Sequence, residues 1–361
     1  KAAAAARLAG AVRIQTISWD DKPDASGDAF LELHDYLERT FPNAHRAMKR
    51  EKVGKFSLLY TWEGSDKSLK PAMLMGHQDV VPIAAGTEQN WQHAPFSGDV
   101  ADGFVWGRGA WDDKSSLVSY LEAVEMLAAS GAQPKRTLII ASGHDEEVGG
   151  LRGAREIAAL LDSRGVKLEF VIDEGMIVTT GIVPTIARPV AQIGLAEKGY
   201  VTLSVTAEGA PGHSSMPGKD SVIGAVASGV EKLQANQMPA RLDGVARQSL
   251  EQLAPEMAPL NRVVLSNLWL TKPLATSILA QSGGSNALIR TTTALTVFNA
   301  GSKENVLPGK AEALVNFRIA PGDSVASVLD HARYVVGNPL LKVAVYGHSR
   351  EASPVSPSDS A

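Results

Sequence analysis

The sequence contains no cysteine among its 361 residues. This absence excludes disulfide bonds, zinc sites built from thiolates and a cysteine nucleophile. It leaves the compartment open, because a protein without cysteine suits the periplasm or the extracellular space as well as the cytoplasm. A metal site in this chain has to use nitrogen and oxygen ligands.

Long apolar runs and blocks of basic residues are also missing. No apolar run reaches the roughly 18 residues of a membrane-spanning helix, so we expect no membrane span. The net charge is −4 and no Lys/Arg block stands out, which argues against nucleic acid and anionic membranes as partners. Gly107 and Gly109 are a weak candidate for phosphate binding, because neither a GxGxxG pattern nor a Walker lysine follows them.

Strand and helix patterns alternate over residues 1–197. Short apolar runs such as Met73-Leu74-Met75 stop at a glycine or an acid, and apolar residues recur at helical spacing between such runs, as from Leu117 to Leu127. This alternation predicts an α/β domain with a mostly parallel sheet and helices on both faces.

The pattern changes at about residue 198. Over residues 198–350 the predicted elements follow the order β-α-β-β-α-β, which is the order of a ferredoxin-like sandwich. A stretch around residues 235–285 is extra to that order, and we expect it to be helical and loop-like. Residues 351–361 form a Ser/Pro-rich loop tail.

Histidine and acidic residues collect where the predicted strands of the first domain end. Three strand ends and one helix start carry them: His77 and Asp79, Glu146 and Glu147, Asp173 and Glu174, and Asp112 and Asp113. Loops that follow parallel strands gather at the carboxyl edge of the sheet, where ligands bind in such folds. We therefore expect the four sites to meet in one cleft.

Several carboxylates in one cleft repel one another unless water or a cation separates them. Imidazole and carboxylate ligands without sulfur favour zinc, cobalt or manganese over calcium. One member of the Glu146-Glu147 pair can bind metal while the other acts as a base, and Asp79 can accept a hydrogen bond from the second ring nitrogen of His77. Each motif alone has an ordinary explanation, such as a helix cap at Asp112-Asp113 or a solvated loop. Their joint occurrence indicates a divalent-metal site.

Five ordered motifs resemble the co-catalytic dizinc exopeptidase family, which contains glutamate carboxypeptidase, aminoacylase and succinyl-diaminopimelate desuccinylase. The motifs are MGHQDVVP, WGRGAWDDKSS, SGHDEEVGG, VIDEG and APGHSSMP. Two later stretches, NALIRTTTALTVFNAG and NVLPGKAEALVNFRIAPGDS, are most similar to its Gly-X carboxypeptidase and N-acyl-amino-acid hydrolase branch. The resemblance runs from about residue 12 to the C-terminus, and it implies a zinc exopeptidase-like catalytic domain with an inserted ferredoxin-like lid and dimerisation domain.

The resemblance implies two zinc ions, for which cobalt or manganese can substitute. It places His77 and Asp173 on one zinc and Glu147 on the other, with Asp112 bridging the two. Glu146 becomes the general base and Asp79 orients His77.

For the lid domain, the resemblance implies a homodimer. It further implies that His213 reaches across the dimer to the partner subunit's active site, and that Asn305 and Arg318 bind the free carboxylate of the substrate.

The family's second zinc takes a further histidine from a segment after the lid, and the printed sequence stops before such a segment. His348, at the end of the last lid strand, does not match that motif. We expect the sequence to be part of a longer protein. The other explanation is a naturally shortened chain with a defective second metal site.

The resemblance predicts a zinc-dependent carboxypeptidase, which hydrolyses the amide bond next to a free C-terminal carboxylate in small peptides. The first alternative is an N-acyl-amino-acid hydrolase, or aminoacylase, because both enzymes cleave an amide beside a free carboxylate. The shape of the acyl pocket, including the 235–285 stretch, would separate them. An alternative from another class is a shortened relative that binds metal or peptide without catalysis.

Overall fold

The computed structural model describes residues 1–183 and 185–358. Its contacts divide the chain into two compact units, Lys1–Gly175 and a second unit that begins at Met176. The sequence predicts a boundary between the catalytic domain and the lid domain at residues 197 and 198, and this domain boundary stays a prediction. Among the described residues, no helix is both long enough and apolar enough to cross a bilayer.

The first unit contains five α-helices and seven strands. The helices are α1 Ala2–Arg13, α2 Gly27–Thr40, α3 Pro42–Ala47, α4 Lys114–Ala129 and α5 Ala154–Ser163. The strands are β1 Lys49–Val53, β2 Ser57–Trp62, β3 Ala72–Met75, β4 Asp99–Ala101, β5 Phe104–Trp106, β6 Leu138–Ser142 and β7 Phe170–Ile172. Short 3-10 helices lie at Glu88–Asn90 and Glu146–Val148.

Five strands form a mixed sheet in the order β1-β2-β6-β3-β7. Strand β3 runs parallel to both β6 and β7, whereas β2 is antiparallel to β1 and to β6. The predicted parallel arrangement therefore holds for the strands that carry the site residues. The antiparallel part begins with a hairpin, in which Gly54 at φ +58° turns β1 directly into β2.

Helices cover both faces of this sheet. Along β6, Ile140 points to the face that packs against α4 through Leu117, while its neighbour Ile139 packs on the other face against Ile157 and Leu161 of α5. This alternation follows from the two-residue period of a strand. The α/β class predicted from the sequence is the class that the structure has.

The second unit contains six helices and eight strands among its described residues. The strands are β8 Val178–Thr179, β9 Val190–Ala191, β10 Gly199–Glu208, β11 Gly212–His213, β12 Thr292–Ala300, β13 Val306–Leu307, β14 Lys310–Ile319 and β15 Lys342–Arg350. The helices are α6 Val222–Ala235, α7 Gly244–Leu253, α8 Pro259–Ser266, α9 Leu268–Leu279, α10 Gly283–Ile289 and α11 Val325–Val336. A 3-10 turn lies at Ala254–Glu256.

Four of these strands form an antiparallel sheet in the order β12-β14-β10-β15. With α6 and α11 they follow the β-α-β-β-α-β order expected of a ferredoxin-like sandwich. Val201 and Leu203 of β10 are fully buried beneath Val226 of α6 and Val328 of α11. Helix α11 begins at a capping box formed by Ser324 and ends at the left-handed Gly337.

The stretch between α6 and β12 is helical, and its helices α7 to α10 form a separate small core. Leu242, Met257, Leu265 and Leu268 are buried in it, together with Ile186 from the segment before β10. The 235–285 stretch was expected to be helical and loop-like, and four helices account for most of it.

Residues 351–357 have no regular secondary structure, as expected for a loop tail. Backbone hydrogen bonds nevertheless hold them: Ser353 donates to the carbonyl of Glu197 at 2.9 Å, and Ser356 donates to that of Leu195 at 2.7 Å. The end of the tail, after residue 358, lies outside the described residues.

Candidate metal centre

Apart from Asp112, which precedes α4, the predicted site residues of the first unit follow the three parallel strands. His77 and Asp79 follow β3, Glu146 and Glu147 follow β6, and Asp173 with Glu174 follows β7. Because these strands are parallel neighbours, the loops after them emerge at one edge of the sheet. The expected convergence of sequence-distant motifs is thus present in the first unit.

His77 lies at the centre of this convergence, and its side chain is only 4% exposed. Its Nε2 is 2.8 Å from Oδ1 of Asp112, 3.4 Å from Oε1 of Glu174 and 4.0 Å from Oε2 of Glu146. Within residues 1–183 and 185–358, the group of potential ligands whose atoms all lie within 4.8 Å is His77, Asp112 and Glu174.

Asp79 connects this histidine to the loop after β6. Its buried carboxylate accepts the backbone N–H of Glu146 on Oδ1 and that of Glu147 on Oδ2, both at 3.1 Å. Oδ1 also lies 3.3 Å from Nδ1 of His77, while the backbone oxygen of Asp79 accepts a hydrogen bond from Nδ1 at 2.9 Å. Nδ1 is therefore held by Asp79, and Nε2 faces the acidic residues.

The electrostatics of the cluster favour positive charge beside its carboxylates. Burial lowers the pKa of His77, but hydrogen bonds and charge from Asp79 and Glu174 outweigh burial and raise that pKa to about 12. Burial also raises the pKa of Glu146 to about 7; His77 opposes the shift and Glu174 adds to it.

A buried polar network lies behind the site and was not predicted. Gln78 is completely buried, and its amide nitrogen donates to the carbonyls of Phe56 at 3.0 Å and Ser142 at 2.9 Å. Its Oε1 is 2.8 Å from Nε2 of His34, and its backbone carbonyl accepts the hydroxyl of Thr16 at 2.6 Å. This network fixes the backbone between His77 and Asp79. The sequence shows that Gln78 lies between these two residues, but it does not show the partners of Gln78.

Asp113 and Lys114, next to Asp112, are buried rather than solvated. Asp113 occupies the N-cap position of α4, but its side chain makes no capping hydrogen bond, and burial raises its pKa to about 6. Burial also lowers the pKa of Lys114 to about 7, and its amine donates to the carbonyls of Ala11 and Ile14 at the end of α1. Lys114 thereby ties the start of α4, and with it Asp112, to α1.

The two remaining predicted ligands, Glu147 and Asp173, are not members of the group formed by His77, Asp112 and Glu174. Glu147 is partly buried, and burial followed by the charge of Asp112 raises its pKa. Asp173 accepts the backbone N–H of Glu174 on Oδ1 at 3.0 Å, and it is the carboxylate of Glu174 that approaches His77. The sequence analysis names Glu174 only as one of the acids after the strand and gives the ligand role to Asp173, which stays a prediction, whereas the structure places the Glu174 carboxylate near His77.

In the second unit, the structure brings His213 next to Asn305. The short strands β11 and β13 pair, so that the backbone N–H of Ser214 donates to the carbonyl of Asn305 at 3.1 Å. His213 is exposed, and its Nδ1 is 3.2 Å from the backbone nitrogen of Ser215, which donates to it. Nδ1 also lies 2.8 Å from Oγ of Ser215, so Ser215 engages this ring nitrogen through both its backbone and its side chain.

Arg318 lies on β14, on the sheet face opposite the α6 and α11 helices. Its guanidinium lies 5.1 Å from the centre of the Tyr200 ring, which stacks on His348 at 5.3 Å. Thr202 donates to the Tyr200 hydroxyl, and Asn316 donates to Thr202, both at 3.1 Å. Arg318 is thus an exposed cation supported by an aromatic ring.

The donor set at His77 fits a divalent transition metal. One imidazole nitrogen and carboxylate oxygens from Asp112 and Glu174 converge, and the chain has no thiolate that could compete. Such a mixture suits zinc, cobalt or manganese.

Comparison with known proteins identifies relatives over nearly the whole chain. The sequence model described as peptidase family M20/M25/M40 matches residues 73–359. The chain is 40% identical over 356 residues to a probable carboxypeptidase S-like 2 of Dictyostelium discoideum, covering 98% of this chain and 68% of that protein. It is 42% identical over 356 residues to an N-fatty-acyl-amino acid synthase/hydrolase of Mus musculus, covering 98% and 70%. Carboxypeptidase S of Saccharomyces cerevisiae is 37% identical over 346 residues, covering 90% and 59%.

Solved structures share the fold. Human carnosine dipeptidase 1 matches with a TM-score of 0.63 at 17% identity, covering 98% of this chain and 78% of that chain. The M20 family metallo-carboxypeptidase Sso-CP2 from Sulfolobus solfataricus matches with a TM-score of 0.60 at 20% identity, covering 95% and 78%.

Proposed function

This chain belongs to peptidase family M20/M25/M40 and is a metal-dependent hydrolase, and from that premise we propose that it is a carboxypeptidase acting on small peptides. The bond hydrolysed is the amide next to a free C-terminal carboxylate. Family membership also argues against the alternative of a non-catalytic binding protein.

The observation that carries the proposal is the position of His77 between Asp112 and Glu174, 2.8 and 3.4 Å away at the carboxyl edge of the parallel strands. We propose two zinc ions there, with Asp112 shared between them, Glu147 on the second ion, and the Asp173-Glu174 pair completing the first with His77. Bound zinc supplies Lewis acidity toward the scissile carbonyl and the attacking water.

Glu146 is the proposed general base. Asp79 holds its backbone N–H, and its half-exposed carboxylate lies 4.0 Å from Nε2 of His77, where water can reach it. Glu146 takes the proton from the attacking water and returns it to the leaving amine, a role that suits a carboxylate whose pKa is near 7.

Arg318 and Asn305 are the proposed contacts for the substrate's free carboxylate. Arg318 is exposed on β14 with its guanidinium against Tyr200, which leaves its N–H groups available for a carboxylate. Ser215 engages Nδ1 of His213, so Nε2 is the ring nitrogen that is proposed to donate to the oxyanion that forms at the scissile carbonyl.

We also propose that the protein acts as a homodimer through the lid domain. Strand β12 is an edge of its sheet, and its apolar side chains are exposed: Leu295, Val297 and Phe298. A groove of about 440 Å³ beside them is lined by Val230 and Ala227 of α6. An exposed apolar edge strand favours pairing with the same edge of a second copy.

The activity is tested with a dipeptide that carries a free carboxylate and with the same dipeptide amidated at its C-terminus. The metal-loaded protein should cleave the free acid at least about a hundredfold faster, because a charged contact to the carboxylate is lost in the amide. Arg318→Met should raise KM for the acid and leave the slow cleavage of the amide unchanged. Equal cleavage of both substrates by the unmodified protein would exclude a carboxypeptidase.

The dimer role of His213 is tested by mixing two inactive variants, His213→Ala and Glu146→Gln. Random exchange of subunits makes half of the dimers hybrids with one intact site, so activity should recover to about a quarter of the wild-type value. Recovery should follow the rate of subunit exchange. Mixtures that remain inactive after exchange has been verified by size analysis contradict the shared site.

A second candidate is an N-acyl-amino-acid hydrolase. It is favoured by the 42% identity to a synthase/hydrolase of N-fatty-acyl amino acids over 98% of this chain. The same metal site and carboxylate contacts serve both reactions, so kcat/KM for a long-chain N-acyl amino acid and for a dipeptide with the same C-terminal residue separates them. The larger value identifies the preferred substrate class.

A further inference from the structure

Helices α8 and α9 are apolar on two sides, but among the residues that the structure describes only one side packs against a partner. Their inner side chains Leu265, Leu268 and Ala275 are buried in the small helical core. Their outer face is also apolar, and its six large side chains are between 54% and 79% exposed: Leu260, Val263, Trp269, Leu270, Leu274 and Ile278. We call these six residues the α8–α9 outer face.

The spacing of these residues makes the face continuous along each helix. Leu270, Leu274 and Ile278 recur at every fourth position of α9, and Leu260 and Val263 are three positions apart on α8. A helix that is apolar all round is normally buried, and an exposed apolar patch of this kind marks an interaction site.

The charges around the face indicate the kind of partner. Residues 257–303 contain no Asp or Glu, although the whole chain has 39 such residues and a net charge of −4. The cations of the two helices, Arg262 and Lys272, are both exposed. No acid within this segment can neutralise them.

We propose that the α8–α9 outer face docks on the surface of an anionic lipid bilayer, with the two helices lying in the interface. Leucine, isoleucine and tryptophan on one side with lysine or arginine at the margin is the composition of helices that bind in this way. The indole of Trp269 can lie at the headgroup level, and Lys272 can extend its amine to lipid phosphates. A protein partner is less favoured, because the rim of a protein–protein interface ordinarily carries charges of both signs, whereas residues 257–303 carry no acid.

This proposal revises the expectation from composition, which argues against anionic membranes because no block of basic residues is present. Here the apolar side chains supply most of the attraction and two cations add to it. The proposal does not depend on the proposed catalytic activity.

The test is flotation of the full chain with vesicles made of equal parts phosphatidylcholine and phosphatidylglycerol. The protein should float with these vesicles, and less with phosphatidylcholine alone or at high salt, because salt screens the two cations. Leu274→Glu should weaken binding at least about tenfold, since it places a negative charge in the apolar face.

Leu340→Glu is the matched control. Leu340 is 54% exposed and Leu274 is 55% exposed, so both substitutions add one acid at an equally exposed leucine of the second unit. The control should float like the wild type, and circular dichroism should show that both variants are folded.

Two outcomes overturn the proposal. One is that the wild type does not float, or that Leu274→Glu and Leu340→Glu float equally well. The other is that sedimentation velocity shows a dimer that Leu274→Glu dissociates while vesicle binding is absent, which would assign the face to a second copy of the chain.

Discussion

Oδ1 of Asp79 accepts the backbone N–H of Glu146 at 3.1 Å, and this hydrogen bond joins the loop after β3 to the loop after β6. The same carboxylate lies 3.3 Å from Nδ1 of His77. One buried group therefore positions both the proposed base and the proposed metal ligand. Burial raises the pKa of Asp79, but hydrogen bonds and charge from His77 outweigh burial, and the net pKa is lowered.

Asp79→Asn tests this double role. The amide keeps the shape of the carboxylate, but one of its two heads can no longer accept an N–H group, and it brings no charge to His77. Zinc affinity should fall about 10–100-fold, as for other groups that support a metal-binding histidine, and kcat should fall with it. Competition with a chelator of known affinity measures the first effect.

Asp99→Asn is the control for Asp79→Asn. Asp99 also pairs with a histidine, at 2.8 Å from Nδ1 of His93, but it lies outside the metal centre and is half exposed. Its substitution should leave zinc affinity and turnover unchanged. If Asp79→Asn retains wild-type zinc affinity, Asp79 does not position the ligand.

Glu174→Gln separates the structure from the family resemblance. Glu174 places Oε1 3.4 Å from Nε2 of His77, whereas the resemblance assigns this ligand to Asp173. We expect Glu174→Gln to lower zinc affinity at least about tenfold, because a neutral amide oxygen is a weaker ligand than a carboxylate.

Asp173→Asn is the paired variant. Asp173 accepts the backbone N–H of Glu174, so its substitution should affect zinc less than Glu174→Gln does. The reverse order, with zinc lost from Asp173→Asn and retained by Glu174→Gln, would assign the ligand to Asp173. Isothermal titration with zinc measures both variants on one scale.

Asp173 and Glu174 show why the sequence alone does not identify the carboxylate that approaches His77. The motifs identified the family, and the match over residues 73–359 confirms that resemblance. The strand that ends at Ile172 could be recognised from its apolar residues, so the acidic pair was located. Which carboxylate turns toward His77 depends on backbone angles after the strand, and no periodicity encodes them.

The strands of the fold also differ in whether their sequence patterns predict them. Strands β3, β6 and β7 have apolar patterns that predict them, and they form the parallel part of the sheet. Strand β1, with the sequence KREKV, is a mostly charged and exposed edge strand, so its pattern predicts no burial. The pairing of β11 with β13, which places His213 beside Asn305, involves two residues on each side and gives no sequence signal.

His34 should make stability depend on pH. Burial is the main cause that lowers its pKa below the ordinary 6.5, and it is hydrogen-bonded to Gln78. As the pH falls below 6.5, the unfolded chain binds a proton on this histidine that the folded chain does not, so the free energy of unfolding decreases until the folded pKa is reached. Above 6.5 this contribution to stability is complete.

His34→Gln keeps a donor for Gln78 but cannot titrate, so the loss of stability between pH 7 and pH 5 should be smaller than in the wild type. The variant should also be about 1–3 kcal/mol less stable at pH 7, because the amide fits the buried site less well. Urea unfolding at both pH values measures the two effects.

His45→Gln is the comparison. It should flatten the pH dependence of the free energy of unfolding less than His34→Gln does, because His45 is only partly buried. An unchanged slope in His34→Gln would show that another group controls acid sensitivity.

Glu146→Gln should separate catalysis from metal binding. Glu146 lies farther from Nε2 of His77 than Asp112 and Glu174 do, at 4.0 Å, which suits a base beside the metal rather than a ligand. The amide cannot accept a proton from water, so kcat should fall about 10²–10⁴-fold while zinc content is retained. Turnover and zinc content by mass spectrometry are measured on the same preparation.

Glu147→Gln is the matched comparison, because the two residues are adjacent and both carboxylates are replaced by amides. This variant should lose zinc as well as activity. If Glu146→Gln loses zinc and Glu147→Gln retains it, the roles of base and ligand are exchanged between the two residues.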